Sequence, residues 1–276
     1  MFDKGNQTYK KSIFSLKLPK TRISYHSPKV TNRVISTWIS LIHFSYCYRA
    51  VEVSDYYSSK LSAKRLKQVY DVAPSRIRQY LNAELNHVLD KIRHDSIVLE
   101  LGCGRVLSNL AGKSQEVIGI DASSSSLNLA RETLVEINNS ALLRMDVATL
   151  GFRDRSFDSV ICIQKGISAF HVDQRTLIIE SVRVTKPGGI ALFSSYSDKF
   201  WQHRLNWFEA QARAGLIGEI NHEKTTDGII VCKDGFTAST VRADDFLALT
   251  SHLNVDVQIV EVDESSVFCE IVRLAP

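Results

Sequence analysis

Glu100, Gly102, Gly104 and Asp121 are the residues of this chain whose types and spacing most clearly serve chemistry. Two glycines so close together let the backbone turn sharply and approach a ligand with no Cβ in the way. They follow the uninterrupted apolar run Ile97-Val98-Leu99, the pattern of a parallel strand covered on both faces. A second run, Val117-Ile118-Gly119-Ile120, ends at Asp121, and open α/β sheets bind ligands at the carboxyl ends of their strands. A carboxylate placed there accepts hydrogen bonds from both hydroxyls of a ribose. Residues 96–121 therefore read as strand, glycine turn, short helix and strand around an adenosine-type cofactor.

The finer choice of cofactor rests on the glycines. A dinucleotide site wants G-x-G-x-x-G, so that a pyrophosphate can rest on a helix N-terminus, and here Leu107 stands where the third glycine would be. Glu100 lies two residues before the first glycine, and a carboxylate facing the turn suits a ligand carrying an ammonium group better than a diphosphate. Both features favour S-adenosylmethionine over NAD.

On these residues the chain resembles a class I S-adenosylmethionine-dependent methyltransferase of the small-molecule type. The matching pieces are VLELGCG at 98–104, VIGID at 117–121, Met145-Asp146, FDSVICI at 157–163 and KPGGIALFSSY at 186–196. The resemblance implies a Rossmann-like doubly wound α/β sheet with an antiparallel last strand. It implies S-adenosyl-L-methionine as cofactor, with Glu100, Gly102, Cys103, Gly104, Asp121, Ala122, Asp146, Val147, Ile163 and Gln164 around it, Asp146 meeting the adenine amino group. Asp146 also reads as a turn acid capping the next segment. The family pattern continues to a further glycine, whereas GCG is followed here by Arg105-Val106-Leu107. Two residues are missing: either the helix starts earlier to absorb the loss, or the cofactor pocket is weakened and Arg105 intrudes.

Strand 157–163 empties into Gln164-Lys165-Gly166-Ile167-Ser168-Ala169-Phe170-His171, where methyl donor and acceptor should meet. His171 is the candidate base for an acceptor that is protonated at neutral pH, an unperturbed imidazole titrating at about 6.5; it also reads as a solvent-facing residue. This loop has no Asn/Asp-Pro-Pro-aromatic motif and no spaced set of Asp and Asn ligands, so no metal is expected. Residues 197–241 exceed a normal βα connection and read as an inserted substrate cap; Tyr196 just before it and Trp201 and His203 within it are candidates for lining the acceptor pocket, and equally read as plain core. Asp234-Gly235 within GIIVCKDGFTAST signals a hairpin.

The elements that must position these residues follow from periodicity. Residues 62–72 are rich in helix formers, and 75–92 place Ile77, Leu81, Leu85, Val88 and Ile92 on one amphipathic stripe. This pair is expected to pack at the sheet edge and cover the cleft; residues 69–74 resemble the segment such methyltransferases place before their first strand, which makes Tyr57 and Tyr70 either candidates for touching the cofactor or ordinary half-buried tyrosines. A helix over 127–137 is expected behind the serine run 123–126, a third strand over 141–145, a fifth over 190–195, a helix over 243–253 and strands over 255–262 and 267–274. The organisation reads as a basic leader, 1–50, and a methyltransferase domain, 51–276. That domain divides into a helical lid (51–95), a cofactor core (96–196), the cap (197–241) and a C-terminal helix and strands (242–276).

Charge is uneven. The net charge is +4, but residues 1–50 hold nine Lys/Arg and one acid, leaving 25 basic and 29 acidic residues for the remainder. A basic leader on an acidic domain does not favour nucleic acid. The leader reads as a disordered extension, with attachment to a membrane or partner and organellar targeting as the other readings. Its apolar stretch 34–47 is too short to span a bilayer, which takes about 20 residues. Five scattered cysteines without a C-x-x-C pair fit a reducing, cytoplasmic setting. The function expected is methyl transfer to a small-molecule acceptor. The alternatives are a non-catalytic homologue that binds S-adenosylmethionine or a partner, and an RNA or protein methyltransferase.

Overall fold

The order in which the strands pair decides where a ligand can sit. A computed structural model describes residues 64–275 apart from Gly104 and Lys165. The leader 1–50, the start of the lid at 51–63 and Tyr57 lie outside the described residues. Helices α1 (Lys64–Asp71) and α2 (Ser75–Lys91) lead into β1 (Ile97–Leu101). Then come α3 (Leu107–Lys113), β2 (Glu116–Asp121), α4 (Ser124–Thr133) and β3 (Ser140–Arg144). The second half runs β4 (Phe157–Cys162), α5 (Gly166–Ala169), α6 (Gln174–Val184) and β5 (Thr185–Tyr196). After β5 come α7 (Trp201–Arg213), the hairpin β6 (Ile229–Val231) and β7 (Thr237–Ser239), α8 (Ala243–Thr250), β8 (Val255–Val262) and β9 (Ser266–Arg273).

One seven-stranded sheet has the order β3-β2-β1-β4-β5-β9-β8. Strands β1 to β5 pair in parallel, and β9 runs antiparallel to both β5 and β8. This is the expected doubly wound sheet with its reversed last strand. From β1 the chain winds outward through β2 and β3, then returns to β4 on the other side. The crevice at such a reversal, beyond the carboxyl ends of β1 and β4, is where ligands bind in open α/β sheets.

Several expected boundaries move for local reasons. The helix after the serine run begins at Ser124, because the Ser123 hydroxyl accepts the Ser126 N–H at 3.3 Å and takes the cap position. It ends at Thr133, before the expected 137. The helix after the glycine turn begins at Leu107, not earlier, and has 7 residues. Strand β5 begins at Thr185, and its register with β4 jumps between Phe157 and Ser159. Pro187-Gly188-Gly189 lies at that irregularity, and a Cβ on Gly189 would stand 2.8 Å from the Asp158 carbonyl oxygen. Helix α8 stops at Thr250 rather than 253.

Helix α2 does not sit at the sheet edge. Its residues Val88 and Ile92 join one apolar cluster with Val98 of β1, Ile161 of β4, Leu192 of β5 and Phe268 of β9, so it lies over the middle of a face. Glu270 of β9 anchors it, with His87 Nε2 at 2.7 Å and Lys91 Nζ at 2.8 Å. Gln79 and Arg76 hold Asp263 in the turn between β8 and β9. The buried face is Ile77, Tyr80, Leu81, Glu84 and Val88, which puts a carboxylate where the periodicity calls for an apolar side chain.

The N-terminal helices and the insertion 197–241 share a second core. Val69, Ile77 and Tyr80 pack in one cluster with Tyr196, Phe200, Trp207, Phe208 and Phe236. Trp207 Nε1 donates to the Val69 carbonyl at 3.1 Å. Arg204, fully buried, donates to the carbonyls of Gly228 and Ala238 and so ties α7 to the hairpin. The N-terminal helices and the insertion thus share one core.

Candidate functional site

The glycine turn after β1 is held by backbone bonds to the neighbouring strand. The amides of Gly102 and Cys103 both donate to the Ile120 carbonyl at 2.9 Å, and Gly102 has φ +74°, a conformation that costs glycine little. Space for the turn comes from β2: a Cβ on Gly119 would stand 2.6 Å from the Cys103 Cβ and 2.9 Å from a Leu107 methyl. Gly119 is thus part of the turn's construction, although the sequence shows it only as one residue of a strand.

Three acids stand at successive strand ends. Glu100 is 4% exposed and lies in register with Gly119 on one side and Ile161 on the other. Asp121 ends β2, and its Oδ1 accepts the Ser123 N–H at 2.7 Å. Asp146 lies just past β3, with Oδ1 accepting the Ala148 N–H at 2.9 Å. Burial, then Glu100, then Asp121 push the Cys103 thiol well above its usual value, which places both carboxylates around that turn residue. Ala122 is exposed beside Asp121, Val147 is buried beside Asp146, and Ile163 is buried at the end of β4.

Beyond β4, Gln164 takes φ +55° and His171 takes φ +51°, so the segment carrying α5 is bounded by two left-handed non-glycine residues. Such conformations cost on the order of 1–3 kcal/mol each and persist where surrounding structure enforces them. At Gln164 the enforcing groups are visible: its N–H lies 3.0 Å from Glu84 Oε2 and 3.1 Å from Ser194 Oγ. Glu84 is 0% exposed and reaches the end of β4 from α2. Its signal in the sequence is its place on the buried stripe between Leu81 and Val88.

Phe170 closes the turn from the other side. Its ring carbons lie 2.6 Å from where a Cβ on Gly102 would stand and 3.2 Å from one on Gly166, so the two glycines form a slot for one aromatic ring. The Arg105 guanidinium stands 4.8 Å over the Tyr70 ring, so Arg105 turns toward the lid. The Tyr70 phenol is pushed up by burial, against the opposing effect of Arg105 and with the charges of Glu84 and Glu100 adding to it.

Of the expected acceptor-side residues, Tyr196 is 2% exposed and packs against Tyr80 at a ring distance of 5.3 Å and Phe200 at 6.2 Å. Arg204 stands 4.6 Å over the Tyr196 ring. Trp201 is half-buried, while His203 is exposed with its ring 5.4 Å from Phe200. His171 is exposed. Tyr80 and Phe170 were not anticipated. Among the described residues no group of three or more His, Cys, Asp or Glu is placed to hold a metal ion, and no helix is long and apolar enough to cross a membrane.

Comparison with known proteins places this geometry in context. Residues 98–189 match a family model described as a methyltransferase domain. A demethylmenaquinone methyltransferase from Staphylococcus carnosus (strain TM300) is 31% identical over 108 residues, covering 37% of this chain and 44% of that protein. The chain thus spans less than half the length of that curated relative. Among solved structures, an S-adenosylmethionine-dependent methyltransferase from Clostridium acetobutylicum ATCC 824 is similar with a TM-score of 0.55 and 15% identity, over 76% of this chain and 98% of that one. A protein from Pyrococcus horikoshii OT3 is similar with a TM-score of 0.52 and 22% identity, over 74% and 93%. At such identities the structural likeness shows the fold.

Proposed function

We propose, from the match of residues 98–189 to a methyltransferase-domain family model and the likeness of the fold, that this chain transfers a methyl group from S-adenosylmethionine to a small-molecule acceptor. The observation that carries the reading is the row of acids Glu100, Asp121 and Asp146 at the ends of three adjacent strands around the glycine turn. Their chemistry fits the cofactor: Glu100 accepts from the ammonium, Asp121 from the ribose hydroxyls and Asp146 from the adenine amino group. The backbone of Gly102, Cys103 and Ala122 provides the approach, with Gly104 outside the described residues, and Val147, Ile163 and Gln164 provide the walls. S-adenosylmethionine supplies the electrophilic methyl group and a neutral leaving group.

The protein's share is to align the acceptor and exclude water, and such positioning is worth about 7–11 kcal/mol. The N-terminal helices and the insertion bury an aromatic cluster of Tyr80, Tyr196 and Phe200, with Trp201 half-buried at its edge. A flat acceptor suits that edge, in keeping with the quinone named for the relative from Staphylococcus carnosus. His203 borders it from the exposed side, and His171 takes the acceptor proton where one must leave.

A second reading, a homologue that binds without catalysing, draws on the Phe170 ring set against Gly102. Calorimetry with S-adenosylmethionine, followed by mass spectrometry for products gaining one CH2 in a small-molecule extract, separates the two. Binding with product supports the first reading and binding without product the second. Absence of binding refutes both.

A further inference from the structure

The missing Cβ of Gly102, which on the reading above opens the turn to the cofactor, opens it here to a side chain of the protein itself. Phe170 Cε1 and Cζ each stand 2.6 Å from the position that a Cβ on Gly102 would take, and Cζ stands 3.2 Å from the corresponding position on Gly166. Carbon atoms in contact keep about 3.5–4.0 Å between them, so no ligand atom fits at that point of Gly102 while the ring is there. We infer, resting on the proposed S-adenosylmethionine reading, that Phe170 is an autoinhibitory plug: its ring holds the place of the cofactor's amino-acid portion and swings out before the cofactor seats.

The sheet order assigns the end of the cofactor with which the ring competes. Strands β3, β2, β1 and β4 are neighbours in that order, so on the proposed reading adenine lies toward β3, the ribose at β2 and the amino-acid portion at β1. Phe170 follows β4 and reaches the glycine turn from the side away from β2 and β3. The ring is also placed to leave. It is half-buried, whereas Ile167 and Leu177 of the helices before and after it are fully buried. Its backbone is carried by one helical turn, the Phe170 N–H donating to the Gly166 carbonyl at 3.1 Å. The next residue, His171, is left-handed at φ +51°, a conformation that persists only where surrounding structure enforces it. Withdrawing the ring gives up its packing, so the open form is a minor fraction of the ligand-free chain. Apparent affinity falls by that fraction.

The test is calorimetry on the full chain and its Phe170→Ala variant with two ligands, S-adenosylmethionine and 5′-methylthioadenosine, which has the same nucleoside and sulfur without the amino-acid portion. Phe170→Ala should bind S-adenosylmethionine about tenfold more tightly, while its affinity for 5′-methylthioadenosine stays within about twofold of the native value. Unchanged or weaker S-adenosylmethionine binding in Phe170→Ala would overturn the inference and leave the functional reading standing, as would an equal gain for both ligands. Failure of both proteins to bind either ligand would remove the functional reading and this inference with it. S-adenosylmethionine binding by Phe170→Ala alone would support both. Thermal melts show whether the variant folds. If it does not, Phe170→Leu, apolar but shorter than the ring, should show the same gain for S-adenosylmethionine, and absence of that gain would equally overturn the inference.

Discussion

Replacing Glu116 by glutamine should stabilise this protein, increasingly so as pH rises from about 4.5 to about 7. Glu116 opens β2, is 6% exposed, and its Oε1 has no hydrogen-bond partner among the described residues. Burial raises its carboxyl from 4.5 to about 7, because a carboxylate is costly to desolvate. That difference corresponds to a ceiling of about 3 kcal/mol, at about 1.4 kcal/mol per pH unit. The residue lies at the sheet's amino-terminal rim, where water screens part of the charge, so the working figure is about 1–2 kcal/mol.

The sign follows from linkage. Below about pH 4.5 both folded and unfolded chains hold the proton, and Glu116 costs nothing through its charge. Between there and about pH 7 the folded chain keeps a proton that the unfolded chain has released, so stability falls as pH rises. Above pH 7 the full cost is present. Glu116→Gln should therefore nearly match the native chain at about pH 4 and exceed it at about pH 8, where its melting temperature should be about 2–8 °C higher, at roughly 2–4 °C per kcal/mol. Thermal melts of both proteins at the two pH values measure this. An equal difference at the acid and alkaline pH, or a less stable variant at the alkaline one, would refute the reasoning.

Other expectations follow from single contacts. Asp121→Ala should weaken S-adenosylmethionine binding at least about tenfold, with the melting temperature little changed, as read by calorimetry and thermal melts. Gly119→Ala should cost about 1–3 kcal/mol in denaturant unfolding, because its Cβ has no room beside Cys103. Gly112→Ala, a helical site where a Cβ meets nothing within 4 Å, should instead add about 0.5–1 kcal/mol. Inserting Thr-Gly between Gly104 and Arg105 restores the family length; if the short turn limits the site, binding should tighten, and abolished binding alongside a tightly binding native chain would show that the short turn is a working variant.

The parts of the fold that the sequence displays are those encoded locally. β1 and β2 are continuous apolar runs, β8 falls at the expected 255–262, and the hairpin at Asp234-Gly235 forms where glycine at φ +93° is required. The start of α4 is not legible, because four consecutive serines are equivalent as caps until one of them is in place to accept an amide. The union of lid and cap is hidden for a different reason. It rests on contacts such as Trp207 to Val69, separated by 138 residues, and no local pattern records such a partner. The acids Glu100, Asp121 and Asp146 were legible because they stand at strand ends. The burial of Glu84 was not, because a charged residue on a helix is most often solvated.

The shortened glycine turn shows how such long-range parts change the meaning of a local one. Seen alone, two missing residues would rotate the following helix by roughly 200° and misdirect its first amides. In the folded chain the loss is not absorbed by an earlier helix, since α3 still begins at Leu107. It is absorbed on both sides of the turn. Gly119 on β2 leaves room for Cys103 and Leu107 to fold close against the strand, and Arg105, exposed to solvent, lays its guanidinium 4.8 Å over the Tyr70 ring. The turn, the second strand and the N-terminal helices therefore depend on one another. On the proposed reading the cofactor would lie against all three, so Tyr70→Ala should weaken S-adenosylmethionine binding as a change in the glycines does, which calorimetry checks.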